Sequence, residues 1–468
     1  MAADKTGLCG KGGMGMRGIS VGACLIALVW SFLPCTSNAL TLGNYTYTTN
    51  ASGKATITGF NSSYSGALSI TNSLDGSPVV AIANDAFRER TRLTAVTIPD
   101  SVASIGTWAF AYCSALGRVT IGAGISAIPE RAFHNCSALT AITIPDTVTS
   151  IGKDAFSGCD RLVSADIGDG VVSIGFAAFF ACNDLAHVSI GSKVRTIEDW
   201  AFLGCNSLVD FTVDAANTAY ASADGVLFDK GLTTLIQCPA AKSGSCAVPA
   251  SVTAIGDFAF QGCASLSAIT VDAANTAYAS ADGVLFDKGL TTLIQCPAGK
   301  SGSYAIPSGV TAIGYRAFAE CSLLTAVTVP ASVTAIGDYA FDYCEMLTAV
   351  LFLGDAPAAG EMVFMSSYPT LCYLPGAAGW DATLDGLSAL CWNPSVRSDA
   401  PFGFSGGCFG FTVAGTPGIP VGIEASTNLA AAVWTPVVNG TIGTGGALAV
   451  SDPASAWQPA RFYRVVFP

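Results

Sequence analysis

The sequence predicts a mainly β repeat solenoid with β caps at its ends and a small β-sandwich module at its C-terminus. A Phe-x-x-Cys pair recurs with a constant 23-residue stride, and apolar and polar residues alternate between successive pairs. A third observation is that one segment occurs twice without change, inside two longer 58-residue units. Fixed periods of this length are typical of chains that stack similar coils and bury apolar residues between neighbours.

The recurring pairs define nine repeats between residues 81 and 354. Five successive pairs have the 23-residue stride, two follow in the 58-residue units, one more follows at the shorter stride, and Phe87 with Arg90 opens the series. The pairs are Phe110/Cys113, Phe133/Cys136, Phe156/Cys159, Phe179/Cys182, Phe202/Cys205, Phe260/Cys263, Phe318/Cys321 and Phe341/Cys344. A chain of 468 residues exceeds one ordinary globular core, but a solenoid extends its core in one dimension.

Charge excludes two classes of partner. Only 12% of the residues are charged, the net charge is -12 and the pI is near 4.5. The chain would repel phosphate backbones, and no run of Lys or Arg offers an attachment to anionic lipid. Nucleic acid is therefore not an expected partner.

The N-terminal residues 1–39 resemble a secretory signal peptide. An apolar stretch from Ile19 to Leu33 follows Arg17 and precedes the small-x-small pattern Ser37-Asn38-Ala39. Cleavage near Ala39 would make the protein secreted or surface-displayed. No later segment approaches ~20 unbroken apolar residues, so no membrane span is expected in the mature chain.

Each repeat predicts two extended segments and a tight turn. Leu139–Pro145 alternates apolar and polar residues, which favours a short half-buried strand. The Ile151-Gly152 pair indicates a second extended arm, and Asp154–Phe156 a single helical turn. Stacking of these units predicts parallel sheets that run along the solenoid.

Eight of the 17 cysteines occupy one phase of the repeat, which favours a packed column of thiols. Parallel side chains ~4.8 Å apart exceed the ~3.8 Å Cβ separation of a disulfide, so reduced thiols are favoured over bridges. Cys372 and Cys391 could still pair near the end of the repeats. The spacing of cysteines and histidines does not predict a zinc site, and no other metal or cofactor is predicted.

The 58-residue units contain the duplicated segment, Val213–Ala240 and its copy Val271–Ala298. Turn signals at Asp224-Gly225 and Asp229-Lys230-Gly231 predict a β-hairpin that projects from the solenoid. Its aromatic residues form a second candidate binding site, unless they pack on the solenoid. These are Tyr220 and Phe228, with their copies Tyr278 and Phe286.

The chain ends complete the predicted organisation. Residues 40–80 are expected to cap one end of the stack with short strands, and residues 355–400 to form the opposite cap and a linker. Residues 401–468 are a predicted β-sandwich module, with five candidate strands between Pro- and Gly-rich turns. The candidate strands are Phe409–Val413, Val421–Ser426, Trp434–Val438, Ala447–Ser451 and Arg461–Val466.

Outward positions of the predicted strands supply the main candidate site. Counting the strand's Leu as position one, positions three and five point away from the core because side chains alternate. Most of these positions hold Ala, Thr or Ser, but the middle repeats place charged residues there. The candidate ligand-binding residues are Arg118, Asp166, His187 and Asp210. The alternative is that they are merely solvated.

The sequence contains a match to a catalytic motif, but the surrounding residues do not support catalysis. Gly403–Gly407 fits G-x-S-x-G, but no helix is predicted after it, and the two histidines, His134 and His187, both lie in the repeats. We therefore predict that the chain is not an enzyme.

The repeat unit resembles the BspA-type leucine-rich repeat family of bacterial surface and secreted proteins. The resemblance is carried by Cys136–Pro145, Val148, Ile151-Gly152 and Ala155-Phe156, and it extends over roughly residues 55 to 395. Membership implies adhesion to extracellular proteins, glycans or other cells. The alternative is a structural envelope or matrix component, in which the solenoid is a spacer and the C-terminal module provides envelope association.

Overall fold

The computed structural model describes residues 39–380, 383–399, 402–405, 407–430, 433–457 and 460–468. The predicted signal peptide, apart from Ala39, lies outside the described residues. Residues Ala39–Pro468 form one unit of contacting elements. Within the described ranges, no helix is long and apolar enough to span a bilayer.

Parallel strands from successive coils form the first wall of the solenoid, which we call the long-strand wall. Its strands pair in runs of three, four, two and five, and the register advances by one repeat from strand to strand, as in Ala141 opposite Ser164. The strands are Gly66–Ser69, Leu93–Thr97, Arg118–Thr120, Ala141–Ile144, Ser164–Ile167, His187–Ile190, Asp210–Val213, Gly244–Val248, Leu266–Val271, Gly302–Ala305, Leu324–Val329, Ala349–Phe352, Thr370–Tyr373 and Ala389–Cys391. The predicted repeat solenoid is confirmed.

Shorter strands form a second wall, the short-strand wall, on the other side of the core. They are Ala55–Phe60, Ser77–Ile82, Ser104–Ile105, Ala127–Ile128, Ser150–Ile151, Ser173–Ile174, Thr196–Ile197, Thr234–Gln237, Ala254–Ile255, Thr292–Gln295, Ala312–Ile313, Ala335–Ile336 and Ala358–Ala359. Antiparallel strands Leu40–Leu42 and Tyr45–Thr49 extend this wall at the first coil, and Ser73–Leu74 forms a small hairpin there.

A stack of phenylalanine rings occupies the core. Rings one repeat apart have centroids 4.7 to 5.5 Å apart and planes within 13° of parallel, both before and after the duplicated segments. The spacing of the rings follows from the spacing of the strands, because successive rings belong to successive coils. Phe87, Phe110, Phe133, Phe156, Phe179, Phe202, Phe318 and Phe341 are fully buried.

The cysteines form the predicted column of thiols beside these rings. Cys136 Sγ donates to the carbonyl of Phe110 at 3.2 Å, and Cys159 Sγ to the carbonyl of Phe133 at 3.3 Å. Burial raises the pKa of the Cys113 and Cys205 thiols to about 12. The thiols of this column therefore have local hydrogen-bond acceptors, and Cys113 and Cys205 strongly prefer their neutral form.

Cys372 and Cys391 do not form the disulfide that the sequence allowed. Cys372 lies opposite Leu390, whereas Cys391 lies opposite Tyr373. The two cysteines are thus one residue out of register on neighbouring strands, and their side chains point to opposite faces. Both are free thiols.

Alkylation of the native protein should separate the thiols by burial. We expect iodoacetamide at pH 8 to label Cys391 and Cys408, which are partly exposed, and to leave the buried cysteines of the described ranges unlabelled. The reason is that a buried thiol is both inaccessible and neutral. Peptide mass spectrometry before and after unfolding in guanidinium provides the measurement. Rapid native labelling of Cys159 would contradict the packed column.

Tight turns connect each short strand to the next long strand, and their outer surface is called the turn face. Most contain two left-handed residues, such as Trp108 with φ 61° and Tyr112 with φ 60°. Non-glycine residues adopt this conformation only when packing enforces it. Here the turn inserts the phenylalanine between them into the core and leaves flanking side chains on the surface.

The duplicated segments do not project from the solenoid, so that prediction is wrong. Strands Tyr220–Ala223 and Val226–Asp229 form the predicted hairpin, but a third strand, Thr234–Gln237, pairs antiparallel with it and joins the short-strand wall. The copy repeats this with Tyr278–Ala281, Val284–Asp287 and Thr292–Gln295. Each segment thereby adds a complete coil. Because the repeats were counted from their Phe-x-x-Cys pairs, the added coil was not included in that count.

Aromatic residues of the duplicated segments are packed in the solenoid. Phe228 is 1% exposed and Phe286 is fully buried, because the Val-Leu-Phe run is apolar on both sides of its strand. The hydroxyl oxygen of Tyr220 accepts a hydrogen bond from the Ile197 amide at 2.9 Å. These residues therefore form part of the structure rather than an exposed second site.

The C-terminal residues form two antiparallel sheets. One contains Ser395–Arg397, Gly403–Ser405, Cys408–Ala414 and Ala447–Asp452, and the other contains Pro420–Ser426, Thr435–Thr441 and Phe462–Val466, with a 3-10 turn at Pro453–Trp457. Their core includes Phe411 and Val413 and continues into Leu351 and Cys372 of the last coils. The domain boundaries predicted from the sequence remain a prediction.

Candidate binding face

The open side of the long-strand wall carries two rows of exposed side chains, which we call the outer rows. In the strands Ala141–Ile144, Ser164–Ile167 and His187–Ile190, exposed and buried residues alternate strictly. The register stacks residues of equal phase, because neighbouring strands are parallel and one repeat apart. One row contains Arg118, Ala141, Ser164, His187 and Asp210, and the other contains Thr120, Thr143, Asp166, Ser189 and Thr212.

Three of the four predicted site residues lie on adjacent strands of the outer rows. His187 Nδ1 lies 3.0 Å from Asp210 Oδ1 on the adjacent strand. Asp166 is opposite Ser189, in the neighbouring row and one strand away from His187. The histidine side chain is 60% exposed and the Asp210 side chain 35%, so the pair faces solvent.

Arg118 is separated from this group. It lies three strands from His187 along the same row, or ~14 Å at the usual strand spacing. The exposed Arg118 side chain therefore belongs to the same face but is too far from His187 for direct contact. A ligand would need to extend along the wall to touch both.

Asp166 borders a groove of about 560 Å³ where four strands of the long-strand wall end. The groove is also lined by three acids that the sequence analysis did not select, Asp146, Asp169 and Asp214. Thr143, Ser189 and Thr212 add hydroxyl groups along the same strands. The groove therefore offers many hydrogen-bond acceptors and a negative charge.

The acids at the strand ends hold successive coils together. Asp146 Oδ1 accepts a hydrogen bond from the Asp169 amide at 2.9 Å, and Asp169 Oδ1 accepts one from the Ser192 amide at 3.0 Å. The Ser192 hydrogen bonds lower the pKa of Asp169, so this carboxylate stays ionised. The sequence does carry a signal for these acids, because Asp146 and Asp169 each follow a strand and are one repeat of 23 residues apart.

The duplicated segment bounds this site on one side. The amide of Phe211 donates to the carbonyl of Gly225 at 2.9 Å, which places the hairpin turn beside the strand of Asp210. Gly225 has φ 75°, and a Cβ added there would lie 3.0 Å from the Asp210 Cβ. Glycine is thus required for this close approach, and the hairpin covers part of Asp210.

The arrangement suits binding better than metal chemistry. Within the described ranges, no three His, Cys, Asp or Glu side chains converge closely enough to hold an ion. The carboxylates instead follow one another along the axis of the solenoid, because each coil contributes equivalent positions. Such a surface can contact an extended partner at many points.

Several solved structures resemble the chain. A leucine rich cell surface protein from Faecalibacterium prausnitzii is 27% identical with a TM-score of 0.49, over 68% of this chain and 95% of that one. The pneumococcal vaccine antigen PcpA is 21% identical with a TM-score of 0.50, over 75% and 86%. The T. pallidum leucine rich repeat protein is 27% identical with a TM-score of 0.38, over 49% and 91%. PcpA thus shows the same fold.

The repeats match a family model described as a BspA type leucine rich repeat region. Six copies of that model match residues 80–209, 240–281 and 299–374, which together make up more than half of the chain. No curated protein matches the chain.

Proposed function

Because the chain belongs to the BspA-type leucine-rich repeat family, we propose that it is a secreted or cell-surface binding protein that attaches to extracellular proteins, glycans or other cells. A signal peptide cleaved near Ala39 is part of this proposal. The outer rows of the long-strand wall are the proposed binding face. Binding, and not catalysis, is the proposed activity.

The observation that supports this face most is the cluster formed by His187, Asp210 and Asp166 beside an acidic groove. On a wall otherwise covered by Ala, Ser and Thr, these residues concentrate charge and hydrogen-bonding capacity. Carboxylates accept strong hydrogen bonds from ammonium, guanidinium and hydroxyl donors. Basic protein surfaces and glycan hydroxyls are therefore the expected contacts, with Arg118 reaching a separate part of an extended ligand.

Removing charges from this face should weaken capture without unfolding the protein. We expect the full chain with Arg118→Ala, Asp166→Asn and Asp210→Asn to bind its ligand about tenfold more weakly on an array of matrix proteins, glycans and cell envelopes. The thermal unfolding temperature should be unchanged, because the three side chains project from the wall.

A matched variant carries Arg161→Ala, Asp160→Asn and Asp184→Asn, which remove the same charges from exposed positions away from the outer rows. Its binding should equal that of the unchanged protein. Equal losses in both variants would show that only net charge matters. Capture of envelopes alone, unaffected by either set of changes, would instead favour the structural envelope role, with the C-terminal module as the attachment.

A further inference from the structure

The two duplicated segments shorten the turn face. Six residues connect the strand ending at Gln237 to the strand beginning at Gly244, whereas twelve connect Ile197 to Asp210 in the preceding coil. The copy likewise has six residues between Gln295 and Gly302. In both, a Gln-Cys-Pro sequence crosses the turn face where other coils have a full turn, which leaves a notch.

Turns on either side of each notch come into contact. The amide of Gly262 donates a hydrogen bond of 2.8 Å to Glu320 Oε2, although the two residues are 58 positions apart. Trp200 and Phe258 also belong to turns separated by one notch, and their rings meet edge to face with centroids 6.0 Å apart. Side chains from turns that are not adjacent in the stack thus share one surface.

A groove of about 890 Å³ runs along this surface, which we call the turn-face groove. Aromatic residues and methionines line it, and several are unusually exposed for their size. Trp200 is 42% exposed, Tyr315 47% and Met365 43%. Exposed Trp, Tyr and Met concentrated on one face are typical of protein interaction sites.

The floor of the turn-face groove is acidic and contains two acceptor oxygens without a donor in the described part of the chain. Arg316 is shared between Asp342, at 3.3 Å, and Glu320, at 3.6 Å, so the three side chains carry a net charge of -1 when both acids are ionised. Asp342 is 3% exposed, and its Oδ1 has no donor among the described residues. The same holds for Gln261 Oε1, which also lines the groove.

Unpartnered acceptors in a buried position destabilise the free protein and favour a ligand that donates to them. A buried acceptor without a donor has lost its hydrogen bonds to water and has gained none in the protein. Attraction between opposite charges is also stronger here than in water, because the groove floor is poorly solvated. Burial raises the pKa of Asp342, although the neighbouring Arg316 guanidinium acts in the opposite direction.

We propose that the turn-face groove binds an extended peptide segment of a protein partner, that a Lys or Arg side chain of this segment donates to Asp342, and that a second donor of the segment reaches Gln261. The long apolar stem of such a side chain would pack against Tyr315 while its charged end reaches the floor, and an apolar side chain further along the segment would pack against Trp200. Cation–π attraction from the rings adds to this. Sugar hydroxyls have no comparable reach to acceptors that are buried beneath the aromatic walls.

Acetylated fluorescent nonapeptides provide the test. Their apolar and serine residues stay constant while the central position is lysine, arginine, norleucine or glutamate, and chitohexaose serves as a glycan probe. We expect the full chain to bind the lysine and arginine peptides at least tenfold more tightly than the norleucine peptide in fluorescence anisotropy at low salt. The glutamate peptide and the glycan should bind more weakly still.

Two variants link this binding to the groove. Trp200→Ala removes part of one side of the groove. Asp342→Asn removes the charge of its floor but keeps the shape of the side chain. Each change should weaken binding of the lysine peptide at least fivefold. Trp108→Ala, on the turn face four coils earlier, and the triple variant of the outer rows should leave it unchanged. Equal binding of the norleucine and lysine peptides, tighter binding of chitohexaose, or an equal loss in Trp108→Ala would each overturn the proposal.

Discussion

Replacement of Asn217 by aspartate is expected to lower the free energy of unfolding by about 4 to 6 kcal/mol. Asn217 is fully buried where the duplicated segment leaves the long-strand wall. Its Nδ2 donates to the carbonyls of Gly191 and Val194 at 2.8 and 3.1 Å. Its Oδ1 accepts from the amides of Ala219 and Tyr220, both at 2.8 Å. Aspartate has nearly the same shape but cannot donate, so the two buried carbonyls lose their donor and face a buried carboxylate oxygen.

Urea unfolding followed by circular dichroism measures this loss. Asn206→Asp is the control, because Asn206 is exposed and makes a single surface hydrogen bond to Asn183. The buried aspartate should have a raised pKa in the folded state, and its protonation restores a donor. The stability deficit should therefore shrink as the pH falls through that raised pKa. A deficit equal to that of the control would refute the role of Asn217.

The duplicated segment offers an internal replicate of this experiment. Asn275 is 1% exposed and makes the same four bonds, to the carbonyls of Pro249 and Val252 and from the amides of Ala277 and Tyr278. Asn275→Asp should therefore cause a loss similar to that of Asn217→Asp.

Truncation of one ring in the phenylalanine stack should have the next largest effect. Phe156→Ala is expected to lower the free energy of unfolding by about 3 to 5 kcal/mol. The Phe156 ring lies between those of Phe133 and Phe179, with centroids 5.4 and 5.1 Å away, and is fully buried. Its removal deletes both ring contacts and leaves a cavity that the rigid strands on either side cannot close.

Denaturant unfolding of the variant should also become less cooperative. Each coil contacts only its neighbours, so weakening a central coil uncouples the coils before it from those after it. Val163→Ala is the control in the same coil, because Val163 is 47% exposed, and we expect a change within about 0.5 kcal/mol. A loss of that small size in Phe156→Ala would mean that the stack does not determine stability.

Much of the fold was predictable because the repeat imposes it. The spacing of Phe156 and Cys159 from their counterparts determines which residues stack, and alternation in Leu139–Pro145 determines which side of the strand is buried. Both depend on local geometry and on identical neighbours, so a single unit contains the information. The same logic placed Arg118, Asp166, His187 and Asp210 on the open side of one wall.

The tertiary structure alone decided what happens where the repeat is broken. The sequence predicted a hairpin near Val226–Phe228 but not its third strand, because the partner of Thr234–Gln237 is a strand of the following coil. It placed His187 and Asp210 on one face, but their 3.0 Å contact and the ~14 Å separation of Arg118 depend on strand register and stacking.

The turn-face groove is the clearest example of a feature that the sequence did not predict. Gly262 and Glu320 meet across a coil that has only six residues on the turn face, between Gln295 and Gly302, and their contact depends on how three coils stack together. Local composition therefore determined the period, the strands and the buried columns of this protein. Contacts between coils of unequal length, which no single unit specifies, decided where its exposed aromatic and acidic side chains converge.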